Sequence, residues 1–153
     1  MNKGLFVLAA LLLVGSVAAN SMPALMGLRF QKADCIWETA EDLEDLGNDV
    51  GFEWDEGDVD ELFGQMDEAA GGMRDCAEAH DITCFNSAFA DFVSAFNELR
   101  VMWLYYAMDE VRDDCCEGND CDPECYAAFM GELMFAYLDE QQDMMGCFSE
   151  IFR

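Results

Sequence analysis

TCFNSAFADFVSAFNELRVMWLYYAM, residues 83–108, decides the fold. Phe85, Phe89, Phe92, Phe96, Leu99, Trp103 and Tyr106 recur at steps of three and four, the period of one face of an α-helix. So much aromatic surface on one stripe has to be covered by other elements. A helix from about Thr83 to Arg112 is therefore expected, and strands are not: sustained alternation is missing and β-branched residues are few.

Reading outward toward the C-terminus, DPEC (122–125) opens a further helix, with Asp122 as cap and Pro123 at the first helical position, where its missing N–H costs nothing. Phe129, Met130, Leu133, Met134, Tyr137, Leu138, Gln141, Met144, Met145 and Phe148 continue it as one stripe, which reads as core. Toward the N-terminus, DVDE (58–61) signals a helix with Asp58 as cap and Glu61 three residues on. Its stripe is Val59, Leu62, Phe63, Met66, Ala70 and Met73, with a bend or early end expected at Gly71-Gly72. A first helix is expected over about 34–46, with Ile36, Ala40, Leu43 and Leu46 on one face and Gly47 as its stop. The fold class is all-α, an up-down bundle of about four helices.

The cysteines fit this scheme. In an up-down bundle, Cys35, Cys76, Cys84 and Cys147 share one pole, and Cys115, Cys116, Cys121 and Cys125 share the other. Eight cysteines admit on the order of a hundred pairings, whereas four admit only about three. The split therefore confines each set, and rejecting the strained vicinal bond Cys115–Cys116 narrows the second further. Each bridge staples a helix end, and within each set the pairing stays open.

The chain opens MNKGLFVLAALLLVGSVAANS: one Lys, an apolar run from Leu5 to Val14, then small residues at Ala18 and Ala19. This reads as a signal peptide over residues 1–19, its apolar run being too short to span a bilayer. Later windows are shorter still; the most apolar, VMWLYYAM at 101–108, falls far below a membrane span. Eight cysteines in a secreted chain read as four disulfides. The expected location is extracellular.

Residues 20–33 carry Arg29 and Lys32 and no acid, whereas all 33 acidic residues fall after Ala33, opposed there only by Arg74, Arg100, Arg112 and Arg153. The change at Asp34 reads as the end of a removable pro-segment (20–33), leaving residues 34–153 as one acidic domain. Its bland counterpart is an unprocessed tail. A formal net charge of −26 repels nucleic acid and anionic membranes and attracts cations or a basic protein surface. Solubility alone is another use for such a charge.

Chemical signatures are sparse. The single His lies in CAEAHDITCF (76–85), where a His followed by Asp resembles the helix motif of secreted phospholipases A2. Ala77 breaks that motif's paired cysteines, Cys84 comes four residues after His80, and a glycine-rich calcium loop does not precede it. His80 therefore reads as a solvated loop residue, and an enzyme is not expected. DDCCEGNDCDPE (113–124) sets Asp113, Glu117, Gly118 and Glu124 at the first, fifth, sixth and twelfth positions of an EF-hand loop. Cys115 occupies the third position in place of an oxygen ligand, so an acidic disulfide-bonded turn is favoured, with Asp113, Glu117 and Glu124 as weak calcium candidates. No other cofactor is expected.

The opening MNK, LRFQK of the leader, the change at Ala33 to DC, CIWE at 35–38 and the terminal MMGCFSEIF with Cys147 resemble the secreted mating pheromones of ciliates, the Euplotes type above all. That resemblance implies a small acidic disulfide-rich helical signal, matured at Asp34, that binds a cell-surface protein receptor. Trp54, Asp55 and Glu56, in GFEWDEGD, are the expected receptor contact. Two alternatives accompany it: a calcium-binding secretory-granule or matrix protein, and a carrier of apolar ligands between the Phe and Met stripes.

Overall fold

A computed structural model describes residues 18–118 and 120–151. The apolar run Leu5–Val14, on which the signal-peptide reading rests, lies outside the described residues. Four helices form a disulfide-stapled bundle: α1 (Ala18–Val50), α2 (Glu56–Glu78), α3 (Ile82–Cys115) and α4 (Pro123–Ile151). Between α3 and α4 sits a short antiparallel hairpin, β1 (Cys116–Glu117) paired with β2 (Asp120–Cys121) in the register Cys116↔Cys121. The aromatic stripe is covered as expected, since α3 packs on α1, α2 and α4. Among the described residues, α4 packs mainly on α1 and α3.

The core runs along the inner face of α3. Phe85, Phe92, Leu99, Trp103 and Val111 are fully buried, with Leu43 of α1 and Val59, Met66 and Met73 of α2 against them. Burial of a side chain of this class contributes about 1.5–3 kcal/mol. Tyr137 of α4 stacks at 5.2 Å on Trp103 and accepts a hydrogen bond from Arg100 Nε at 2.8 Å, fixing α4 against α3. Of the ten residues in the expected α4 stripe, only Leu133 and Tyr137 are buried, while Leu138 and Met145 face solvent.

Several helix ends differ from the sequence reading. The first helix does not begin at Asp34: α1 starts at Ala18 and crosses that position without interruption. Met26 and Ala33 are buried, Phe30 meets Phe85 edge-on at 5.2 Å, and Arg29 and Lys32 lie over the rings of Phe89 and Phe148. The basic segment thus continues the apolar face of the same helix, its cations turned toward aromatic rings.

Nor does Gly47 end α1. The stop is Gly51, at φ +95°, where Phe52 N–H bonds Gly47 C=O and Gly51 N–H bonds Asn48 C=O. The cap of α2 is Asp55, whose carboxylate accepts from Gly57 N–H, and not Asp58, which already lies in the first turn. Gly71-Gly72 neither bends nor ends α2: a Cβ on Gly72 would stand 3.4 Å from Ala88 of α3, so the small residue permits close packing of two helices. Asp122 caps α4 as read from DPEC, accepting from Glu124 N–H and Cys125 N–H.

Four disulfides hold the frame: Cys35–Cys147, Cys76–Cys84, Cys115–Cys125 and Cys116–Cys121. Each joins two members of one polar set. The first spans 112 residues and ties the middle of α1 to the end of α4. The last two are nested around the hairpin. No described cysteine is free, and disulfides of this kind form and persist in oxidising surroundings. No helix among the described residues is long and apolar enough to cross a membrane.

Candidate functional site

The loop expected to contact a receptor is turned inward. Phe52 and Trp54 are buried: Phe52 meets Trp103 at 5.2 Å, Trp54 meets Tyr106 at 6.2 Å, and Trp54 Nε1–H donates to Asn48 Oδ1 at 3.0 Å. Asp55 is engaged as the helix cap while remaining exposed, and Glu53 and Glu56 on either side are exposed as well. Trp54 is therefore a plug at the α1–α2 junction and no surface anchor. Its apolar ring had to be covered, and the glycine at 47 leaves the space that covers it.

The acidic turn is likewise pinned for another purpose. Asp113 lies in the last turn of α3, Glu117 in β1 and Glu124 in the first turn of α4, all exposed. The bond Cys115–Cys125 crosses the span an EF-hand loop would need to wrap an ion, and Cys116–Cys121 closes the hairpin inside it. No group of three such side chains among the described residues is placed to hold a metal ion. What the turn does have is concentrated charge. Glu110, one turn earlier on α3, is held above the ordinary carboxylate range by burial first and then by Asp114, Asp113, Glu53 and Asp109.

His80 serves the backbone. It adopts φ 55°, with its N–H bonded to Ala77 C=O and the N–H of Asp81 bonded to Cys76 C=O, the paired bonds of a left-handed helix C-cap. Asp81 then caps α3 through Thr83 N–H and Cys84 N–H. Two residues thus end one helix and start the next, and Cys76–Cys84 clamps the turn.

A cleft of about 250 Å³ lies between α1, α2 and α3. Phe30, Trp37, Met73 and Phe92 floor it, and Asp34, Asp67 and Arg74 stand at its mouth.

Exposed apolar side chains stand elsewhere. On α4, Phe135 is 71% exposed, Leu138 56% and Met145 59%. On α3, Val101, Tyr105 and Met108 are exposed one and two turns apart. Sequence reasoning missed this face because Leu138 and Met145 were absorbed into a single wide stripe. At 100° per residue, Tyr126, Met130, Leu133, Tyr137, Met144 and Phe148 make an inner line, while Ala128, Gly131, Phe135, Leu138, Gln142 and Met145 make an outer one. Two separate lines on one helix, the outer centred roughly 135° around from the inner, are the available signal. No family model, curated protein or solved structure matches the chain.

Proposed function

We propose that the chain is a secreted acidic signalling protein of the mating-pheromone kind, which acts by binding a cell-surface receptor. The observation that carries this reading is a bundle with every described cysteine bonded that still leaves Phe135, the most exposed of its large apolar side chains among the described residues, in solvent. A stapled frame presents such side chains with little ordering cost on binding, and exposed aromatic residues are common anchors of protein interfaces. The acid surface speeds encounter with a basic partner.

The test is binding of the fluorescently labelled protein to living cells of the source. Saturable binding displaced by excess unlabelled protein supports the reading. Binding that is linear in concentration, or that reduced and alkylated protein reproduces, overturns it.

Removal of residues 20–33 belongs to this reading and carries a physical condition. The Ala33–Asp34 junction lies inside α1 with Ala33 buried, so a protease acts there before α1 docks or after it unwinds locally. Intact mass with N-terminal sequencing of the secreted chain decides: a start at Asp34 supports processing, and a start at Ala19 or Asn20 removes it.

Two other readings rest on particular features. The cleft beside Trp37 favours an apolar-ligand carrier, which copurifies with lipid. The acidic hairpin pole favours a calcium-condensed granule protein, which scatters light at millimolar calcium.

A further inference from the structure

The exposed face of α4 has three properties together. Its line Ala128, Gly131, Phe135, Leu138, Gln142 and Met145 steps by three and four, the spacing of a seam that meets another helix. Gly131 has nothing within 4 Å of where a Cβ would stand. A glycine inside a helix is unfavourable by roughly 1 kcal/mol against Ala, and here the chain's own packing gives no return for it. Ala128 and Gly131 are small, and Phe135 one turn on is 71% exposed, so this side of the helix places little side-chain bulk in the way of a second backbone.

Beside this seam, at about 40–80° around the helix from Phe135, stand Glu132, Asp139, Asp143 and Glu150, all exposed. Basic residues are missing from α4 altogether. Burial raises Glu140 above the ordinary carboxylate range, and Asp42, Asp143 and Asp139 raise it further, so negative charge already crowds this flank.

We infer that the outer face of α4 is a docking surface for a cationic amphipathic helix, its apolar side on Phe135, Leu138 and Met145 and its Lys or Arg residues on Glu132, Asp139 and Asp143. Charge selects this occupant. A second copy would bring the same acids together in a chain of formal charge −26, whereas a basic helix neutralises them as its apolar face is covered. The inference rests on the receptor reading and supplies the contact that buried Trp54 cannot.

The test uses the full chain as recovered from the medium of secreting cells, titrated with an 18-residue leucine–lysine amphipathic helix. Oligolysine of equal charge and a leucine–glutamate helix serve as controls. Expected is micromolar binding of the leucine–lysine helix, at least tenfold weaker binding of oligolysine and none of the leucine–glutamate helix. Phe135→Ser with Met145→Ser, both exposed and so compatible with folding, weakens it at least tenfold. Val101→Ser with Tyr105→Ser, on the exposed face of α3, leaves it within twofold.

Equal binding of oligolysine, or indifference to the α4 changes, overturns the inference. So does sedimentation showing a dimer that Phe135→Ser dissociates, since the occupant would then be a second copy. The receptor reading fails separately: saturable cell binding unaffected by Phe135→Ser sinks the docking surface alone, and loss of saturable cell binding by the unaltered protein sinks the receptor.

Discussion

Gly47 lies against the indole of Trp54 so closely that a Cβ at position 47 would overlap the ring, with Trp54 Cζ2 only 2.7 Å and Phe52 Cδ2 2.9 Å from it. Replacing a helical glycine by alanine ordinarily stabilises. Here the overlap dominates, because Trp54 is fixed by Asn48 and Tyr106. Gly47→Ala is expected to cost about 1–3 kcal/mol, whereas Gly64→Ala, with open space around it, gains about 0.4–1 kcal/mol. Urea denaturation of the two variants measures the contrast, and equal effects would disprove the overlap.

Trp54 itself gives a second contrast. Trp54→Ala is expected to lose about 3–5 kcal/mol, as for a large buried side chain, and Asp55→Ala about 1 kcal/mol through loss of the α2 cap. A Trp54→Ala protein of unchanged stability would return that residue to the surface.

The disulfides should not contribute equally. Cys35–Cys147 spans 112 residues and Cys76–Cys84 only 8. The chain-entropy account assigns about 5 kcal/mol to the first and about 2.5 kcal/mol to the second. Paired Cys→Ser replacement followed by denaturant titration tests the order, and a costlier short bridge would refute it.

Stability should rise on mild acidification. Burial raises Glu44, with Asp45, Asp60 and Glu41 adding to it, and Glu110 and Glu140 are raised in the same way. A carboxyl whose folded pKa exceeds its unfolded value binds more protons when folded, so stability falls as pH rises through that interval. Melting at about pH 5 is thus expected above that at about pH 7.5, with the gap narrowed by added salt. A higher melting temperature at the upper pH would contradict the sign.

At His80 the expectation is a gain. The left-handed conformation costs a residue with a Cβ about 1–2 kcal/mol and glycine almost nothing. His80→Gly should therefore raise the melting temperature, offset in part by the freer unfolded chain. A drop would mean that the imidazole makes contacts its exposure conceals.

The helices were legible because aromatic spacing leaves α3 one way to lie, and Asp122-Pro123 is a start signal that later contacts do not override. Glycines were harder to read. Gly47 and Gly72 carry the composition of a stop or a bend, yet each is there because another element comes close, and nothing local distinguishes a packing glycine from a breaking one. Trp54, set among acids in GFEWDEGD, looks exposed by its neighbours, but its place is decided by Tyr106, about a third of the chain away. The continuity of α1 through Asp34 was hidden by charge, since the change of sign alters the solvent side and leaves the apolar side intact from Met26 to Leu43.

The bond between Cys35 and Cys147 makes residues 35–147 a covalent macrocycle, with the leader hanging outside it. A single protease nick in any of the three connections between helices gains one water in mass and releases nothing until a reductant arrives. Trimming of the arm before Cys35 sheds a fragment at once. A cut inside the ring and a cut before it would therefore look different on a mass spectrum.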